Sequence, residues 1–258
     1  MISPTGILFD LDGVIYQDDE LINGAKETLS LLSKNNIPYK FISNTSTLSI
    51  DQIVNKLFNM NIKIHKNQIV SVSVAAIEYC NKMNYNKINL IVSNKKIKDD
   101  FKHLNLVKNN SDAIILGDLG HDFTYDVLND IFSEIINGSK LIALHKNRFW
   151  RSNNKLKIDL GAFIAAIEYA TNTTAAVIGK PNSNIFKMAI NNWKQNINSI
   201  YVIGDDIESD IIGAKNAGMR SILVKTGKFN QEILNKSKIK PDNIIPSVAY
   251  LKNIIKLN

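Results

Sequence analysis

Two carboxylates two residues apart, Asp10 and Asp12, close the short apolar run Ile7-Leu8-Phe9, and Gly13 follows them. The run reads as a buried strand that ends at a turn. The open end of such a strand is where α/β sheets hold ligands, so Asp10 is aimed into a crevice. Residues two apart on a strand share a face, which keeps Asp12 near Asp10. Two close carboxylates are costly unless a cation or a shared proton lies between them. The pair therefore points to a metal, to acid-base chemistry, or to both. The same spacing occurs in metal-nucleotide sites, in calcium loops and in solvated turns. A calcium loop needs ligands at alternating positions and a distal Glu, and Val14, Tyr16 and Asp18 do not supply them.

Three more polar groups follow short apolar runs in the same way: Ser43 with Asn44, Lys180, and Asp205 with Asp206 and Asp210. In a parallel sheet the C-terminal strand ends converge on one crevice. Acids, a hydroxyl and a lysine gathered there are what phosphoryl transfer requires. A carboxylate can act as nucleophile. Magnesium takes oxygen ligands and neutralises phosphate charge. A lysine and a hydroxyl clamp the remaining phosphoryl oxygens.

The strand and helix patterns around these residues alternate. Helical spacing covers Gly24 to Lys34, and Tyr39 to Ile42 reads as a strand. Ser49 and Gln52 have capping-box spacing before an apolar face made by Ile50, Ile53, Val54, Leu57 and Phe58. Strand patterns recur at 88–92, 113–117, 141–144, 175–178, 200–203 and 221–224. Helical patterns recur at 75–83, 125–136, 162–170, 185–193 and 209–216. Strand-helix alternation predicts an α/β fold with a parallel sheet and helices packed on it.

The chain has 258 residues, 45% hydrophobic and 21% charged, enough for one large domain or two smaller ones with real cores. The 31 Lys and Arg against 24 Asp and Glu give +7, spread along the chain without a like-charge run. A scattered positive field suits anionic small molecules as well as nucleic acid. No basic face or aromatic platform speaks for nucleic acid. Cys80 is the single cysteine, so neither an internal disulfide nor a thiolate zinc site is expected. No apolar run approaches the roughly 18 residues of a membrane span, and Met1 opens no basic-then-apolar leader. The expectation is a soluble cytoplasmic protein.

On its four motifs the chain resembles the haloacid dehalogenase (HAD) superfamily: Asp10-x-Asp12-Gly13, Ser43, Lys180, and Gly204-Asp205 with Asp210. It is most similar to the NagD-like subfamily, with a large C2-type cap between the second and third motifs. Gly24-Ala25, Ser43-Asn44-Thr45, 166–170 and 177–181 resemble the group of "HAD-like domain containing 2" and phospholysine phosphatases. The resemblance implies a Rossmann-like three-layer core over 1–77 and 178–258 and a smaller α/β cap over 78–177. It implies an Mg²⁺-dependent phosphatase acting on a small phosphorylated metabolite, with cap-mediated dimer contacts. Asp10 would be the nucleophile and Asp12 the general acid and base. Asp10, the backbone carbonyl of Asp12 and Asp205 would hold Mg²⁺. Ser43, the amide of Asn44 and Lys180 would bind phosphate, and Lys180 would also pair with the nucleophile. Asp206 and Asp210 would be supporting acids. Thr45 stands where the subfamily often has Asn. In the cap, His145, Lys146 and Arg148 would meet an anionic leaving group, with Phe149 or Trp150 stacking on a ring. Asp118 to Asp122 is a second recognition candidate. The alternative is a catalytically silent binding or regulatory protein, against which the intact acids argue.

Overall fold

The apolar run that begins the chain is a strand, Gly6–Phe9, and its side chains from Ile7 to Phe9 are fully buried. A strand buried on both faces needs apolar residues at every position, and a parallel sheet covered by helices supplies that setting. The computed structural model describes residues 1–152 and 155–256. The chain divides into two compact units. The first is Met1–Ser43, Val54–Val70 and Lys180–Asn258; the second is Asn44–Ile53 and Ser71–Gly179.

Among the described residues, six strands form the sheet of the first unit. Their order is Asn243–Ile245, Arg220–Val224, Ile200–Gly204, Gly6–Phe9, Tyr39–Ser43 and Ile69–Ser71. Gly6–Phe9 is parallel to both neighbours, with Phe9 level with Ile203 on one side and Phe41 on the other. The ends of these three strands therefore lie side by side. Asp10 follows one, Asp205 follows the second, and Ser43 closes the third.

Flanking helices include Ala25–Lys34, Ser183–Ala189 and Ile212–Asn216. The Ser183–Ala189 helix stops short of the 185–193 pattern. Trp193 leaves the helical path and its ring lies on Gly6, where a Cβ would meet it. The 209–216 pattern also resolves differently. A π-helical turn, Ile207–Ile211, precedes the α-helix Ile212–Asn216. The polar stretch after Gly13 holds a hairpin, Tyr16–Gln17 with Glu20–Leu21, turning through Asp18 at φ +50°.

The second unit carries its own sheet, ordered Ala176–Val177, Lys140–Ala143, Ala113–Leu116, Lys87–Ile91 and Asn105–Leu106, parallel throughout. The helices Tyr125–Ile136 and Leu160–Thr171 bury Ile131, Ile135, Ile164 and Ile167 against Ile114, Leu116 and Leu141. Ser49 and Gln52 complete the capping box: Gln52 N donates to Ser49 Oγ and Ser49 N to Gln52 Oε1. Phe149–Ser152 is a strand, antiparallel to Lys155–Ile158, and 145–148 lead into it outside any strand. Among the described residues no helix is long and apolar enough to cross a membrane.

Candidate active site

Asp10 takes its position from the sheet: its N–H donates to Ile203 O at 2.9 Å, continuing the strand pairing by one residue. Its Oδ1 accepts from Leu11 N at 2.7 Å and lies 2.8 Å from Lys180 Nζ. Two donors on one oxygen fix the rotation of the carboxylate. Lys180 is 2% exposed and also donates to Asp210 Oδ1 at 2.6 Å. Burial alone would lower the pKa of this ammonium, but Asp10 and Asp210 outweigh it and hold it above the usual lysine value.

Asp210 reaches the ammonium because the π-helical turn begins immediately after the Ile200–Gly204 strand and its Asp205-Asp206 corner. Ile211 N donates to Asp206 O, a bond spanning five residues, and Asp210 N donates to the same carbonyl. The wider turn buries four of its five residues, Ile207, Ser209, Asp210 and Ile211, and leaves Glu208 exposed. Asp206 caps that turn: its Oδ1 accepts from Glu208 N at 2.8 Å and Ser209 N at 3.4 Å. A Cβ on Gly204 would collide with Asp210.

Asp205 is held by a second loop. Lys228 N donates to its Oδ2 at 2.6 Å, and Thr226 Oγ1 donates to Gly13 O at 2.5 Å. Gly13 (φ +85°) and Gly227 (φ +58°) face this carboxylate, and a Cβ on either would fall on Asp205 Oδ2. Both glycines thus meet two demands, a left-handed backbone and close approach. The 226–228 loop was not among the expected site residues. Its signal was present, since Lys225-Thr226-Gly227 follows a strand as the other polar sites do.

Asp10, Asp205 and Asp210 offer carboxylate oxygens that lie within 4.8 Å of one another, a cluster able to hold a metal ion. Burial, then the charges of Asp10 and Asp210, push Asp205 well above the ordinary aspartate range. Burial likewise raises Asp210 to about 7, against the opposing pull of Lys180. Three acids face one ammonium, so the cluster lacks positive charge. Asp12 stands at the rim, its side chain exposed. Desolvation, then the Asp10 charge, raise it to about 6, with Lys228 and Lys56 opposing. Its contact with water weakens the first of these, so the Asp10 charge is the firmer cause. The side chain of Asp12 is not in the three-acid cluster, and Asp210 is.

Ser43 is buried at its strand end. The remaining expected residues belong to the second unit. Asn44 Nδ2 donates to Asn147 Oδ1 at 3.4 Å. Thr45 Oγ1 lies 3.3 Å from Thr47 Oγ1. His145 is turned inward, 4% exposed, with Nε2 at 3.2 Å from Ser46 Oγ and 3.9 Å from Asp159 Oδ1. Lys146 Nζ lies 2.5 Å from Glu168, and the Arg148 guanidinium is 5.5 Å from the Phe149 ring centroid. Trp150 is partly exposed, with Lys157 over its ring. Asp118 accepts from Gly120 N through Oδ1, and its own N–H donates to Ser46 Oγ.

Comparison with known proteins gives three kinds of likeness. A family profile described as haloacid dehalogenase-like hydrolase matches residues 7–107, and one described as HAD-hydrolase-like matches 177–251. The chain is 33% identical over 235 residues to haloacid dehalogenase-like hydrolase domain-containing protein 2 of Bos taurus, covering 91% of this chain and 88% of the relative. It is 28% identical over 256 residues to phospholysine phosphohistidine inorganic pyrophosphate phosphatase of Homo sapiens, covering 97% and 93%. The solved 4-nitrophenylphosphatase of Thermotoga maritima superposes with a TM-score of 0.91 at 27% identity, covering 98% of each chain.

Proposed function

The chain belongs to the haloacid dehalogenase-like hydrolases, and on that footing we propose that it is an Mg²⁺-dependent phosphatase of a small phosphomonoester, working through an aspartyl phosphate. The observation that carries the reading is the pairing of Asp10 with buried Lys180 beside Asp205 and Asp210, at the C-terminal ends of parallel strands. Relatives described as phosphatases support the activity class.

The donor set fits Mg²⁺. It consists of carboxylate oxygens alone, which suits a hard cation, and its excess negative charge calls for a divalent one. Asp10 and Asp205 would hold the ion with the backbone carbonyl of Asp12, and Asp210 adds a third acid beside them. When bound, it offsets charge on the phosphoryl oxygens and on the acids.

In the first step an Asp10 carboxylate oxygen forms a bond to phosphorus while the bond from phosphorus to the leaving oxygen breaks. Asp12 gives its proton to that oxygen. In the second step Asp12 takes a proton from water, the water oxygen bonds to phosphorus, and the aspartyl-phosphate bond breaks. Inorganic phosphate leaves and both carboxyl groups return to their starting states. An acid with a pKa near 6 serves both halves, because it is neither too weak to donate nor too strong to accept. Lys180 holds the Asp10 carboxylate and a phosphoryl oxygen, and Ser43 with the Asn44 amide complete the phosphate contacts. Asp206 acts on the turn that carries Asp210. The substrate class, recognition through Lys146 and Arg148, a cap-mediated dimer and a cytoplasmic location belong to the same proposal.

The test is phosphate release from a panel of phosphomonoesters with Mg²⁺ or with EDTA, on the parent chain and on Asp10→Asn. That substitution keeps the side chain's shape and removes the nucleophile. Metal-dependent release that vanishes in a folded Asp10→Asn protein is the expected result. Parent-rate release by the variant would sink the mechanism.

A further inference from the structure

At the other end of the same sheet the first unit has a cavity of about 680 Å³. Its walls are the turn and first residues of the Tyr39–Ser43 strand, the segment from Lys63 to Gln68, and Asn192 with Trp193. Strands of this length put such N-terminal ends roughly 10–15 Å from the C-terminal ends that carry Asp10, Ser43 and Asp205. The cavity is thus separate from the acid cluster.

Its chemistry is one-sided. Among the described residues the lining contains no Asp or Glu, while Lys40, Lys63 and His65 all face it. Two aromatic rings, Tyr39 and Trp193, line it as well, with three asparagines and a glutamine. The Trp193 ring is fixed in place against Gly6, where only glycine leaves room. The Lys40 ammonium lies 5.8 Å from the centroid of that ring. Partial burial lowers the pKa of Lys40, and no carboxylate in the lining relieves that cost. Lysines without acids attract an anion. Fixed rings offer a stacking surface, and side-chain amides offer both donors and acceptors to the edge of a heterocycle. The volume falls in the range of small-ligand sites, about 300–1,000 Å³.

We propose that this cavity is a second ligand site, for a small planar anion of the nucleotide class. The base lies against Trp193 and Tyr39, and the phosphates meet Lys40 and Lys63. The inference is independent of the phosphatase reading.

The experiment is equilibrium dialysis of the full chain with α,β-methylene ADP, which has no phosphomonoester to hydrolyse. One saturable site per chain is expected. A Lys40→Ala/Lys63→Ala variant should bind at least about tenfold more weakly, since it loses two charge-assisted contacts. Its thermal melt and its KM for 4-nitrophenyl phosphate should match the parent's. Asp10→Asn should bind the analogue as the parent does. Absence of saturable binding by the parent, or equal affinity in the double-lysine variant, would overturn the proposal. Dialysis needs no turnover, so a chain without phosphatase activity still gives a clear answer.

Discussion

Asp12 differs from Asp10 by its place at the rim, and that difference supports the separate roles proposed for them. Asp10 is committed to Lys180 and the Leu11 amide. Asp12 has neither contact and is raised to about 6. A general acid must be protonated in the free enzyme, so kcat/KM should fall as pH rises above about 6, with bound phosphate moving the limb of kcat higher. Asp12→Asn should lose roughly 10²–10⁴-fold in rate on an alkyl phosphate and flatten that limb. A pH-rate profile of the two proteins checks this; an unchanged alkaline limb in the variant would assign it to another group.

The π-helical turn shows how an element sets the site. Helical periodicity predicts 209–216 as one regular helix, and that geometry would space Asp210 for an ordinary turn. The inserted residue lets Ser209, Asp210 and Ile211 all turn inward, and Asp210 then meets Lys180. Asp206 stabilises the start of the turn as a cap, so Asp206→Ala should cost about 1 kcal/mol in urea unfolding and reduce turnover through misplaced Asp210. Asp206→Asn keeps an accepting oxygen and should remain close to the parent in both. Equal losses in the two variants would mean that the charge of Asp206, rather than its cap, is what matters. At the glycine loops the same logic is steric. Gly13→Ala and Gly227→Ala each drive a methyl onto Asp205 and ask a left-handed position to accept a side chain. Both should weaken metal-dependent activity more than they lower stability at neighbouring strands, and a Mg²⁺ titration of activity reads the difference.

For the molecule as a whole, the acids of the site link stability to pH and, on the proposed reading, to metal. Asp12, Asp205 and Asp210 all have folded pKa values above the unfolded aspartate value of about 3.9. The folded chain therefore holds protons that the unfolded chain releases. Their contribution is fully present below about pH 4 and is lost as pH rises through about 6 for Asp12 and about 7 for Asp210. On the proposed reading, Mg²⁺ would take the place of those protons. Its stabilising effect should be larger at about pH 8 than at about pH 5, because fewer protons must be displaced. Melting temperatures with Mg²⁺ and with EDTA at both pH values check this. An increment independent of pH would place the ion away from these acids.

Much of the fold was legible in the sequence, because burial imposes a period. Continuous apolar runs marked the strands around Ile7, Ile114 and Val202, and the bounds of Tyr125–Ile136 were read to the residue. The motif acids and Lys180 were legible because a polar group at the end of such a run has few purely structural reasons to be there. Distances between strand ends were not legible. Which carboxylates converge depends on register: Phe9 level with Ile203 and Phe41 brings Asp10 beside the Asp205 corner. Asp210 entered the cluster through a π-helical turn whose extra residue leaves no periodic trace, and Gly13 and Gly227 were matched to Asp205 only by packing across 214 residues of chain separation between the two glycines. Local sequence determined the kinds of groups and the strands that end in them, since propensity and burial act over a few residues. Tertiary structure alone decided which of those groups meet, since that is settled by distances between segments remote in sequence.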